Sequence, residues 1–239
     1  MKTYLDKNVY EAALERIAYC FQEFDNVLVA FSGGKDSGVM LNLCYDYANE
    51  HGLLDKLTMY HLDYEAQYQM TTEYVTRTFL EQFPGIRKMW YCVPIKAQSA
   101  CALGEPYWTP WDAAKKKLWV RAMPENPYVV HEGNLDVPFR HGMVDYEFQD
   151  KLSRHFAKKR GTTAVMVGLR ADESLNRYAA VARGKKRRSY EGRKWITQTS
   201  AVTANVYPLY DWRVSDIWTA TARFGFDYNR LYDLSLIHI

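Results

Sequence analysis

No stretch of these 239 residues stays apolar long enough to span a bilayer, and Met1 to Tyr10 lacks the hydrophobic centre of a secretory leader. The expectation is a cytoplasmic protein with no membrane partner. Cysteine is scarce: Cys20, Cys44, Cys92 and Cys101 form no Cys-x-x-Cys pair and have no histidine at metal spacing. That excludes a disulfide framework, gives no basis for a zinc or iron–sulfur site, and predicts reduced, mostly buried thiols. Net charge is only +3, so nothing global demands a nucleic acid. Two common phosphate-binding motifs are also missing. Gly-x4-Gly-Lys-Ser/Thr would need glycine where Val29 stands, and no Gly-x-Gly-x-x-Gly occurs.

What is present instead is Val27-Leu-Val-Ala-Phe-Ser-Gly-Gly-Lys-Asp-Ser-Gly38. Val27 to Phe31 reads as a buried strand, Ser32-Gly33-Gly34 as a tight turn, and Val39, Met40, Leu43 and Tyr47 as one face of a helix starting near Asp36 or Ser37. A helix N-terminus with unpaired amides, two serine hydroxyls (Ser32, Ser37) and Lys35 suits a polyphosphate. Asp36 is out of place as a bare phosphate ligand, and is read as a holder of Mg²⁺.

The rest of the chain alternates in the same way. A helix from Glu11 to Phe24 precedes this strand; Leu57–Leu62 and Arg87–Val93 read as further strands, separated by a helix over Gln69–Phe83. Strand–helix alternation predicts an α/β fold with a parallel twisted sheet and helices on both faces, its ligand beyond the carboxyl ends of the strands. The alternation breaks over residues 97–150. Five of the eight prolines fall there, with Trp108, Trp111 and Trp119, so the segment reads as a loop-rich insertion or cap around one short helix near Asp112 to Ala122, within a single domain over residues 1–239. Helix returns at Phe148 to Lys159, then strand at Thr163–Gly168, running into Leu169-Arg-Ala-Asp-Glu-Ser-Leu-Asn-Arg177. Arg170 and Arg177 can grip an anion, with Glu173 orienting one of them or binding metal. Val181 to Lys194 is glycine-punctuated and basic, and reads as a loop; Ala182 to Arg193, with Lys185, Lys186, Arg187 and Arg188, is read as an electrostatic lid over the anion, or alternatively as a nucleic-acid contact. Ala201 to Tyr207 is a further strand, and Asp211 or Ser215 is the candidate N-cap of the following helix.

Three segments resemble one family. Ser32-Gly-Gly-Lys-Asp-Ser37 after a strand is similar to the PP-loop of the ATP pyrophosphatase, or adenine nucleotide α-hydrolase-like, superfamily. With Gly168-Leu-Arg-Ala-Asp-Glu-Ser174 plus Arg177, and with Val206 to Trp212 followed by Val214 to Trp218, the likeness narrows to the phosphoadenosine phosphosulfate (PAPS) reductase family, over most of Asn26 to Tyr232. Within it the chain looks most like the reductase-like bacterial and phage proteins grouped with the immunoglobulin-binding regulator IbrA. The resemblance implies a Rossmann-like fold and an adenine nucleotide, ATP or of PAPS type, with phosphates on Ser32, Gly33, Gly34, Lys35, Asp36 and Ser37. Base and ribose would lie near His61 and Asp63, and Gly168, Arg170, Glu173 and Arg177 would line the anionic end. Lys35, Asp36 and Arg170 would carry catalysis, with Mg²⁺ on Asp36 if the ligand is ATP.

The reductases of this family attack with a cysteine in a C-terminal tail, whereas the last cysteine here is Cys101. The end, Leu234-Ser-Leu-Ile-His-Ile239, reads as a truncation whose last residues are foreign. Three expectations stay open: an enzyme that cleaves ATP between its α- and β-phosphates, a sulfonucleotide reductase without its catalytic tail, and a nucleotide-sensing regulator without turnover. Partners expected beside the nucleotide are a nucleic-acid or protein acceptor, a second copy in a homodimer, or a ParB-like protein.

Overall fold

In the computed structural model, which describes residues 6–99, 104–182 and 189–234, the first helix starts where local chemistry says it should. At α1 (Val9–Glu23) the Asn8 side chain accepts the Glu11 amide at 2.9 Å, and the Glu11 carboxylate accepts the Asn8 amide at 3.2 Å. Its Ala13, Ile17, Cys20 and Phe21 form the buried stripe that the sequence periodicity predicts. There follow β1 (Asn26–Ala30), α2 (Lys35–Glu50), β2 (Leu57–Leu62), α3 (Gln69–Glu81) and β3 (Arg87–Cys92). The expected insertion holds a short pair, β4 (Ala97–Gln98) and β5 (Tyr107–Trp108), a 3-10 turn over Ala113–Leu118, and β6 (Val129–His131). The chain continues through α4 (Asp145–Arg160), β7 (Thr163–Val167), α5 (Leu175–Ala182), β8 (Ser189–Tyr190), β9 (Arg193–Gln198), β10 (Thr203–Val206), α6 (Val214–Phe224) and a 3-10 segment, Arg230–Leu234.

Eight strands form one sheet in the order β6-β3-β2-β1-β7-β10-β9-β8. Pairing is parallel from β6 to β10 and antiparallel from β10 to β8. From β1 the chain steps outward through β2 and β3 on one side, then returns to lay β7 and β10 on the other. The reversal falls between β1 and β7, and in open α/β sheets the crevice at such a point is where ligands bind. Helices cover both faces, as the strand–helix alternation implies. Val29, Met59, Trp90 and Met166 pack under α1, α2, α3 and α6 through Ile17, Met40, Phe79 and Ile217. On the other face Leu28, Tyr60, Tyr91 and Val165 meet Phe148 and Leu152 of α4, with Ile95, Val137 and Met143 from the insertion.

Several boundaries differ from the sequence reading. The insertion is less irregular than its prolines suggest, because β6 joins the sheet edge beside β3, and α4 already starts at Asp145. Arg193–Gln198, whose first two residues fall in the expected loop and whose remainder the sequence reading left unassigned, is a strand that buries Ile196 opposite Val206; its charged residues hid the pattern. The four basic residues read as a lid, Lys185 to Arg188, lie outside the described residues. Neither Asp211 nor Ser215 caps α6. Arg213 occupies that position and its amide donates to Asp216 at 2.6 Å, while Asp211 takes two bonds from the nearly buried Arg16 guanidinium, at 2.8 and 2.6 Å, tying the end of the sheet to α1. No helix among the described residues is long and apolar enough to cross a membrane.

Candidate functional site

The turn after β1 is folded by its own hydroxyls. Ser37 Oγ donates to the Gly34 carbonyl at 3.0 Å and accepts the Ser32 amide at 3.2 Å, and the two serine oxygens lie 2.9 Å apart. Gly33 sits at φ +79°, where a Cβ would also come within 2.8 Å of Val75 Cγ2, so glycine is required twice over. The helix therefore opens at Lys35 with Gly34 as an N-cap that has no side chain of its own to occupy the first-turn amides. These residues form one wall of a cleft of about 400 Å³ at the β1–β7 crevice.

The opposite wall comes from the exit of β7. Gly168 lies so close that an added Cβ would meet the Ser37 amide nitrogen at 3.0 Å and the Asp36 carbonyl carbon at 3.1 Å. Beyond it Arg177 and Glu173 face the cleft as an ion pair at 3.2 Å. Arg170 does not line the cleft. It is buried behind the loop, its Nε on Asp36 Oδ1 and its Nη1 on Asp172, and Asp36 in turn holds Lys35 Nζ at 3.2 Å. Arg170, expected to grip the anion, is thus committed to Asp36 and Asp172, and the guanidinium that lines the cleft is that of Arg177. Tyr232 completes the rim: its ring centroid lies 4.9 Å from Lys35 Nζ. Asn229 fixes that segment by donating to the Gly33 carbonyl at 3.1 Å.

Asp36 does not fit Mg²⁺ as it stands. Both carboxylate oxygens already carry a cationic partner, and no group of three or more metal-ligating side chains occurs among the described residues.

His61 and Asp63 are placed elsewhere, which corrects the expected base and ribose contacts. Side chains alternate along β2, so Tyr60 and Leu62 line the cleft while His61 turns to the opposite face between Phe79 and Trp90. There its Nδ1–H donates to the Phe31 carbonyl at 2.8 Å, and Nε2 has no partner among the described residues. Asp63 is fully buried and gathers Trp90 Nε1 at 2.7 Å, the Glu65 amide at 2.8 Å and two bonds from Arg121. Glu65, at φ +64°, accepts the amides of Trp111 and Val120 at 2.9 Å each. These two acids staple residues 111–121 of the insertion to the end of β2.

Burial holds His61 below its ordinary value of 6.5, against the opposing pull of Asp63. In the pH window between that value and the lower folded one, the unfolded chain takes up a proton that the folded chain refuses. The His61 contribution is therefore complete above the unfolded value and is lost as the pH falls through the folded one. His61→Asn can still reach the Phe31 carbonyl but cannot titrate. Its thermal midpoint should fall less than the wild type's between about pH 7 and pH 5; equal slopes would refute the role of His61 in this pH dependence.

The cleft also contains Tyr64, within the Asp63 to Glu65 stretch expected on the ligand rim, and residues that the sequence did not single out: Tyr60, Leu62, Gln67, Gln149 and Tyr232. Tyr64 and Gln67 follow β2 directly, and position after a strand was a usable signal. Gln149 and Tyr232 come from distant helices and left none. The described thiols, Cys20, Cys44 and Cys92, are buried away from the cleft.

Residues 26–239 match the phosphoadenosine phosphosulfate reductase domain family. The chain is 34% identical over 233 residues to the uncharacterized protein YbdN of Escherichia coli (strain K12), covering 96% of this chain but only 55% of that relative's length. Among solved structures, FMN adenylyltransferase of Candida glabrata superposes with a TM-score of 0.52 at 13% identity, over 96% of this chain and 62% of that one. Phosphoadenylyl-sulfate (PAPS) reductase of Candida auris, in a phosphate complex, gives a TM-score of 0.49 at 14% identity, over 98% of this chain and 93% of that one.

Proposed function

We propose, from the premise that this chain belongs to the phosphoadenosine phosphosulfate reductase domain family, that it binds ATP in the β1–β7 cleft and cleaves it between the α- and β-phosphates. The observation that carries this reading is the open first turn of α2, with Ser32, Lys35 and Ser37 on one wall and Arg177 on the other. Helix amides and Lys35 hold the phosphates. Asp36, anchored by Arg170, sets the position of Lys35. An acceptor oxygen attacks the α-phosphorus and gives up its proton to solvent, the bond to the bridging oxygen breaks, and pyrophosphate leaves with the electron pair; AMP stays on the acceptor or, where the acceptor is water, is released. The acceptor is water, a nucleic acid or a protein, a ParB-like partner included, in the cytoplasm. Within the family we group the chain with the IbrA-like proteins, on the likeness of its loop, Ser32 to Ser37, and of its Gly168 to Arg177 segment.

A second reading is favoured by one detail, the engagement of Asp36 by two cations. A loop neutralised in this way suits a sulfonucleotide bound without metal. Calorimetry with ATP, PAPS and adenosine 3′,5′-bisphosphate separates the two, since tighter binding of the last two supports the second. For the first, incubation with ATP, with and without Mg²⁺ and with candidate acceptors, should release pyrophosphate. ATP that binds but stays intact in every mixture identifies a nucleotide-sensing regulator instead.

A further inference from the structure

The amide that opens α2 is met from outside its own loop. Tyr232 Oη, on the 3-10 segment Arg230–Leu234, accepts the Lys35 amide at 3.5 Å, and a Cβ added at Gly34 would come within 3.4 Å of the same oxygen. The phenol is held from several sides. Trp218 meets it edge-on with ring centroids 5.7 Å apart, and the Tyr232 amide donates to the Asn229 carbonyl at 3.2 Å. Asn229 is buried and ties the segment to the loop, donating to the Gly33 carbonyl at 3.1 Å and to Thr71 Oγ1 at 2.8 Å. Asp227 takes further bonds from Arg77 and Gln82, at 2.9 and 2.8 Å.

This placement gives the hydroxyl and the ring different tasks. The oxygen accepts from Lys35, so its own hydrogen remains to be given, and no acceptor for it is found among the described residues. Tyr232 lines the cleft beside the Asp36 and Ser37 amides, the next donors of the first turn that the helix itself leaves unpaired. The ring lies 4.9 Å from Lys35 Nζ, and with Asp36 it leaves the Lys35 side chain only 11% exposed. Lysine usually keeps its ammonium in water. Here the ammonium is largely withdrawn from solvent at the cleft wall, where its attraction for an anion is less screened.

With the cleft read as a nucleotide site, we infer that Tyr232 binds the phosphate chain: its hydroxyl donates to a phosphate oxygen seated on the α2 amides, and its ring holds the Lys35 ammonium toward the same phosphate. A phosphate oxygen offers only acceptors. The hydroxyl accepts from Lys35 and donates to the phosphate at once, so it adds a donor to the turn without stranding the amide behind it.

Calorimetry on the full chain with ATP and with tripolyphosphate separates the two tasks. Tyr232→Phe keeps the ring and loses the donor, and should weaken both ligands about tenfold, the effect of one hydrogen bond to a charged group. Tyr232→Leu should weaken them about threefold more, through the lost ring. In a Lys35→Ala background that second step should vanish while the first persists, because the ring acts through Lys35; a ring that only supports the fold would give the same step in both backgrounds. Tyr232→Phe at or above wild-type affinity would mean that the hydroxyl stands where a phosphate oxygen must go, and overturns the inference. So does a loss seen with ATP alone, which moves Tyr232 to the base or ribose. A wild type that binds neither ligand overturns the nucleotide reading of the cleft, and this role with it.

Discussion

Lys35→Ala should lower affinity for ATP, or for PAPS if that is the ligand, about a hundredfold. Two effects add. A charge-assisted hydrogen bond to phosphate contributes about 1.5–3 kcal/mol. Removing the ammonium also leaves Asp36 facing the phosphates with only Arg170, which already serves Asp172, to balance it. The loop then changes from neutral to repulsive at the place where the anion must sit. Lys35 is not a core residue, so the thermal midpoint of the free protein should barely move. Calorimetry gives the first number and differential scanning the second. An affinity within threefold of wild type would show that the phosphates bind elsewhere.

Asp63→Ala should have the opposite profile, with a large loss of stability and no specific loss of nucleotide affinity. Its carboxylate is the common acceptor for Arg121, Trp90 and the Glu65 amide at a fully buried position. Truncation leaves the buried Trp90 indole N–H without its acceptor and the partly exposed Arg121 guanidinium without its carboxylate, which costs about 3 kcal/mol, the low end of the range for a broken buried pair. Urea unfolding measures this from the shift of the midpoint. Asp63→Asn keeps the shape and part of the bonding, and should lose less. A loss under about 1 kcal/mol for the alanine variant would mean that the insertion is held by its apolar contacts alone.

The contrast between these two residues shows where sequence reasoning reached and where it stopped. The loop was legible because its physics is local: two glycines, two serines and a lysine between a β-branched run and a helical pattern suit a bound phosphate and little else. The bounds of β2 were legible too, since an apolar run ended at an acidic cluster. Which face His61 occupies was not. A central parallel strand is buried on both sides, so every residue from Leu57 to Leu62 is buried and no polar alternation marks inside from outside. The resemblance placed the base near His61 and Asp63, and in the structure the neighbours of opposite parity, Tyr60, Leu62 and Tyr64, reach the cleft. Asp63 reads as a ligand for a similar reason, because the partners that consume it, Arg121 and Trp90, are distant in sequence. Arg170 drew attention as one of four charged groups at a strand exit; that it reaches inward to Asp36 depends on the close approach of Gly168 to α2, which only coordinates reveal.

The position of β1 between β2 and β7 has a consequence for how the molecule is made. Asp25 at the foot of β1 receives the amide of Thr162, 137 residues later, and the wall carrying Arg177 comes later still. During synthesis the N-terminal strands and helices emerge first and can pair locally, yet their central strand keeps one edge unsatisfied until β7 is delivered. The phosphate turn is thus made well before its second wall, which is gained only once residues 163–177 have left the ribosome. A nucleotide cannot select the native pairing early; it can only stabilise a sheet whose middle has already closed.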